Sequence, residues 1–219
     1  RAHQYPGRIG RQDDPPSRLL PSLPDVATNQ LVGRTAVLRV ERLKVGALPP
    51  LSFELPAGEC LAVEGPSGSG KTRLLRAIAD LDPARGYVYL EAIERGEMPA
   101  PEWRRRVRYV ATEPGWWEAT PRRHVPAAAL GRLERLLPGL GLARAILDRP
   151  VAELSTGERQ RLALARALLD EAKVLLLDEP CASLDAASAA LVEELIRYQT
   201  LAGRSVVLVS HVEGQIDRL

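Results

Sequence analysis

The chain of 219 residues has room for one domain, or one domain with a small insert. With 45% hydrophobic and 26% charged residues it can bury a core, and a net charge of +2 is too balanced to point to nucleic acid as a partner. Cys60 and Cys181 lie far apart without metal-ligand spacing, which fits a reducing cytosol rather than a disulfide framework. No apolar run approaches the roughly 18–20 residues that span a bilayer, and no signal peptide is evident, so any link to a membrane is expected to run through a partner.

Residues 1–34 hold Pro6, Pro15, Pro16, Pro21 and Pro24 among scattered Arg and Asp, without a sustained period, and read as a disordered N-terminal tail. The folded domain is expected over 35–219. AVLRVERL from Ala36 alternates as a strand does, LSFEL follows as a second strand, and ECLAVEG reads as a buried strand that enters a glycine-rich loop. KTRLLRAIADL has helical spacing, and GYVYLE and RVRYVA read as strands. From Thr120 to Asp148 the Ala-, Leu- and Arg-rich chain reads as mostly helical, and STGERQRLALARALLDEA as an amphipathic helix. KVLLLDEP is an apolar strand ending on two acids, DAASAALVEELIRYQTLA a helix and RSVVLVSH a last apolar strand. Alternating apolar strands and helices give an α/β fold with a mainly parallel central sheet.

The loop GPSGSGKT, from Gly65 through Pro66, Ser67, Gly68, Ser69, Gly70 and Lys71 to Thr72, has the G-x-x-x-x-G-K-[ST] spacing between a strand and a helix. Its glycines let successive N–H groups turn toward phosphate oxygens, and the helix N-terminus adds its dipole. Lys71 is expected to neutralise β/γ-phosphate charge and Thr72 to offer its hydroxyl to Mg²⁺. In VLLLDEP the acids follow an apolar strand, at whose carboxyl end ligands gather. Asp178 is expected to hold Mg²⁺ and Glu179 to act as general base on the attacking water, since neighbours along a strand face different ways. Ser155, three residues before Glu158, has the spacing of a capping box at a helix start, and such a helix end is also an anion site.

The phosphate loop, LSTGE at 154–158, VLLLDEP, ASLD at 182–185 and His211 occur in the order and spacing that make residues 36–219 resemble the ATP-binding cassette (ABC) family, in its bacterial transporter ATPase form. The resemblance implies a P-loop nucleotide hydrolase fold with a small antiparallel β portion and a helical subdomain over about 113–160. It implies ATP and Mg²⁺ as cofactors, and a homodimer or paired ABC ATPase subunit as partner. Ser155 and Gly157 would then contact the nucleotide held by the other subunit, Asp185 would lie at the dimer seam, and His211 would sense the γ-phosphate. An integral membrane permease is the implied second partner, which would hold the chain at the cytoplasmic face of the cell membrane, with no nucleic acid involved. The alternatives are a non-transport cassette ATPase or a weakly hydrolysing, nucleotide-dependent regulator.

Several positions depart from the family pattern. Thr156 and Glu158 alter the LSGGQ-like loop. Thr112 stands where the family has a Gln, and Glu113 beside it is a candidate substitute at the metal. The family's adenine-stacking aromatic after the first strand is missing, leaving Val45 or Leu48 to meet the base. Trp116 and Trp117 read either as local core or as an exposed interface anchor.

Overall fold

The computed structural model describes residues 36–210. The tail expected over 1–34, and His211, lie outside the described residues. Four parallel strands form the central sheet in the order β3-β8-β7-β6, with β3 at Cys60–Val63, β6 at Val107–Val110, β7 at Val174–Asp178 and β8 at Ser205–Val209. Every residue of β7 and β8 is buried, as expected of strands covered on both faces. Their side chains divide by parity. Leu175, Leu177, Val206 and Leu208 enter one core with Leu162 and Leu164, and Val192 and Ile196. Val174, Leu176, Val207 and Val209 enter a second core with Leu74, Leu75 and Ile78. The sheet is therefore the partition between two hydrophobic clusters.

A second, antiparallel sheet has the order β2-β1-β4-β5, with β1 at Ala36–Lys44, β2 at Leu51–Pro56, β4 at Arg85–Leu90 and β5 at Ile93–Glu94. Its inner residues Leu38, Val40, Leu43, Leu55 and Val88 join the second core. Among the described residues there are five α-helices: α1 at Lys71–Ile78, α2 at Ala100–Arg106, α3 at Ala127–Leu136, α4 at Thr156–Ala167 and α5 at Ala186–Leu201. Trp103 of α2 is fully buried, and its indole N–H donates to Ile78 O at 2.9 Å, fastening α2 to the end of α1. The α/β class and the paired parallel and antiparallel sheets agree with the sequence reading.

Two local expectations need correction. β3 is only half-buried along Cys60, Leu61 and Ala62, and among the described residues it pairs within the sheet with β8 alone. The stretch from Thr120 to Asp148 holds one α-helix, α3, and otherwise single 3₁₀ turns at 121–124, 138–140 and 144–148. Proline is the cause. Pro121 and Pro138 sit in the first turn of their 3₁₀ segments, and Pro126 takes the N-cap of α3, so each starts a helix that the preceding chain cannot join.

Candidate nucleotide-binding site

In register, Val63 of β3 lies beside Val209 of β8, which lies beside Asp178 of β7. The phosphate loop thus leaves the same carboxyl edge of the sheet on which the two acids end. Gly70 is the N-cap of α1 in the left-handed region, φ 101°, and no side chain caps the helix. The first turn of α1 holds no acid, so its N–H groups are left to meet an anion. Lys71 is only 7% exposed. Its Nζ donates to Gly65 O at 2.7 Å and Pro66 O at 2.9 Å, which uses two of three ammonium hydrogens and leaves one for a ligand. Ser67 and Gly68 are exposed at the crest of the loop, and Thr72 exposes its hydroxyl beside Lys71.

Asp178 is 2% exposed. Its Oδ2 accepts the Tyr109 hydroxyl at 2.9 Å, while Oδ1 is buried with no hydrogen bond from the described residues. A buried carboxylate oxygen left unpaired is costly, and a cation is its natural complement. No group of three His, Cys, Asp or Glu side chains clusters as a metal site among the described residues. Asp178 with the Thr72 hydroxyl is a sparse oxygen set, of the sort that suits Mg²⁺ completed by water and phosphate oxygens.

Glu179 follows at φ 50°, an uncommon conformation for a residue with a Cβ and one that costs about 1–2 kcal/mol. Its N–H donates to Val209 O at 2.9 Å, and its carbonyl accepts from Gln160 Nε2 at 2.8 Å and Ala182 N at 3.2 Å. These bonds hold the half-buried acid at the strand end in its strained geometry. Thr112 donates its hydroxyl to Asp178 O at 3.0 Å, tying the loop after β6 to the same edge. Glu113 is exposed next to it.

At α4 the capping box is complete. Ser155 Oγ accepts from Glu158 N at 3.1 Å, and Glu158 Oε2 accepts from Ser155 N at 2.8 Å. Glu158 is held below the usual carboxylate range by that Ser155 N–H and then by Arg149 at 2.9 Å. A Cβ on Gly157 would lie 3.0 Å from Leu184 Cδ2 and 3.3 Å from Ser183 O, so the absence of a side chain lets this turn pack on the segment before Asp185. Asp185 is the exposed N-cap of α5, accepting from Ser188 N at 2.8 Å and Ser188 Oγ at 3.1 Å. Those bonds hold its carboxyl below the usual range.

The phosphate loop, Thr112, Asp178 and Glu179 therefore meet at one edge of the sheet, and the turn of Ser155 and Gly157 at the start of α4 packs on the segment that leads to Asp185. Two expectations about the base are separated. Val45 is 2% exposed and belongs to the second core, so it presents no surface to adenine. Leu48 is half-buried against Gly70, beside the phosphate loop. Tyr109 and Gln160 were not singled out from the sequence. Gln160 carried a usable signal, a polar side chain on the stripe of α4 that also bears Ala163, Leu164 and Ala167.

The geometry defines a phosphate-binding α/β domain with an acidic strand end beside its loop. The family model described as ABC transporter matches residues 48–182, and this chain belongs to that family. Protein STAR1 of Oryza sativa subsp. japonica is 35% identical over 179 residues, covering 77% of this chain and 52% of STAR1. The chain thus spans about half the length of that relative. The cytochrome c biogenesis ATP-binding export protein CcmA of Bordetella bronchiseptica is 37% identical over 200 residues, covering 86% of this chain and 84% of CcmA. A solved ATP-binding cassette, dimeric in a post-hydrolysis state with ADP and Pi, shares the fold with a TM-score of 0.67 at 22% identity, covering 83% of this chain and 90% of that one.

Proposed function

We propose that this chain binds and hydrolyses MgATP as the ATPase subunit of a transporter, working as a dimer or with a second cassette subunit and coupled to a membrane permease. The observation that carries this reading is the uncapped N-terminus of α1 at the end of the Gly65–Lys71 loop, beside a buried Asp178 whose Oδ1 has no hydrogen-bond partner among the described residues. Loop N–H groups and Lys71 hold the β- and γ-phosphates. Thr72 and Asp178 would hold Mg²⁺, which would supply charge neutralisation on the phosphate oxygens. Glu179 accepts a proton from water as the water oxygen bonds to the γ-phosphorus. The bond from that phosphorus to the β,γ-bridging oxygen breaks, and ADP and phosphate leave. Glu113, beside the Thr112 that stands in place of the family's Gln, is assigned a supporting place at the metal, and His211 the contact with the γ-phosphate.

Ser155 is exposed and its oxygen already accepts from Glu158 N, so its hydroxyl hydrogen remains to donate. With Gly157 it is suited to a phosphate held by another subunit, with Asp185 at the seam. Trp117 is 73% exposed. It borders a groove of about 530 Å³ that Arg166 and Val125 also line, and it serves as the anchor for the permease. Among the described residues no helix is long and apolar enough to cross a membrane, so the chain would be held at the cytoplasmic face through that partner.

Calorimetric titration with MgATP and a phosphate-release assay test the site. Lys71→Ala is expected to lose binding. Glu113→Ala is expected to bind ATP but to hydrolyse it about ten-fold more slowly, a loss of about 1.4 kcal/mol in transition-state stabilisation. Full affinity in Lys71→Ala would refute the phosphate site, and wild-type turnover in Glu113→Ala would remove Glu113 from it.

A further inference from the structure

The two oxygens of the Asp178 carboxylate have different surroundings. Oδ2 receives the Tyr109 phenol at 2.9 Å, and Oδ1 receives no hydrogen bond from the described residues. Tyr109 is opposite Leu176 in the β6–β7 register, so Asp178 lies two residues further along the neighbouring strand, on the face that Leu176 presents to the second core. From there the phenol reaches along the sheet to the carboxylate. The charge of the Arg76 guanidinium of α1 also acts on the phenol. Arg76 stands four residues after Thr72, and its guanidinium is fixed by Asp82 through bonds of 2.8 and 3.0 Å. Asp82 thus fixes Arg76 on the helix that follows the phosphate loop, and Tyr109 fixes Asp178 at the acidic strand end.

Resting on the MgATP reading, we propose that Tyr109 is a positioning residue for the metal, holding Asp178 Oδ2 so that Oδ1 is the oxygen left to bind the cation. A carboxylate with one oxygen fixed keeps a single orientation, whereas without the phenol both oxygens are unpaired in a buried site and the group turns or draws in water. Partners that orient a metal ligand typically change metal affinity by about 10–100-fold when removed.

The test is Tyr109→Phe, which deletes only the hydroxyl. ATP affinity is measured in EDTA and then across a Mg²⁺ titration, with the nucleotide-free melting temperature as a check on folding. We expect an unchanged affinity in EDTA and a Mg²⁺ concentration for half-maximal effect raised about ten-fold. An unchanged or lowered Mg²⁺ requirement overturns the proposal. So does an affinity lost equally in EDTA and in Mg²⁺, which would mark a purely structural role. Lys71→Ala in the same assay separates the two readings. If it binds normally, the phosphate site itself is wrong and the role of Tyr109 falls with it.

Discussion

His124 shows one side chain fixing a loop. Its Nε2 accepts from the N–H groups of Trp117 and Glu118, each at 2.9 Å, and its Nδ1 lies 3.0 Å from Thr120 O. Only the neutral ring with its proton on Nδ1 satisfies all three contacts. The ring meets Trp116 and Trp117 edge-on at 4.8 and 4.7 Å, and Arg166 stacks 4.5 Å from the Trp116 centroid. Burial pushes the imidazole pKa down. The Thr120 carbonyl and Glu118 oppose that, and the Arg166 cation adds to it. With the folded pKa below the ordinary value of 6.5, the unfolded chain binds more protons across the window between them. The stabilisation is therefore complete above the ordinary value and is lost as pH falls through the depressed one. Tryptophan emission should shift in that acid window, with a step absent from His124→Phe; identical acid profiles for the two proteins would contradict the latch. None of this was legible in the sequence, where Trp116 and Trp117 stood open between core and interface. The structure divides them, Trp116 packed against the first core and Trp117 outside. The Tyr109–Asp178 bond was hidden for a related reason, since 69 residues separate its ends and only the β6–β7 pairing brings them together.

Three helices that begin at or beside the site start in two opposite ways. α1 opens from a left-handed glycine with no cap and no acid in its first turn, which leaves its N–H groups free. α4 opens with a reciprocal cap between Ser155 and Glu158, and α5 with an Asp185 cap. The uncapped end is the one beside the glycine loop and Lys71. Glu158, a departure from the family loop in the sequence, gains a structural reason here because it closes the box with Ser155. Ser155→Ala should lower the stability of the nucleotide-free protein by about 1 kcal/mol, read from urea denaturation. No loss would mean that the box does not hold the start of α4. The capping box and the phosphate loop were readable because each is a local pattern of a few residues. The helical content of 120–148 was over-read from its Ala and Leu, which favour helices one at a time, whereas prolines decide where a helix can continue. β3 was read as buried from its apolar run, but Cys60, Leu61 and Ala62 are half-buried, and among the described residues the strand has a sheet neighbour on one side only.

At the scale of the molecule, the parallel sheet separates two cores and gathers the chemistry at one edge. The first core supports α4 and α5, whose starts carry Ser155, Gly157 and Asp185. The second supports α1 and the phosphate loop. One face of the protein is thereby suited to hold nucleotide phosphates, and another turn is suited to cap a nucleotide held elsewhere. Two copies arranged head to tail about a two-fold axis would complete both sites at once. The most direct measurement is the mass in solution of Glu179→Gln, by light scattering with and without MgATP. Gln keeps the shape of Glu179 but cannot accept the water proton, so bound ATP persists. A dimer with MgATP and a monomer without it is the predicted result; a monomer under both conditions would contradict a nucleotide site shared between subunits.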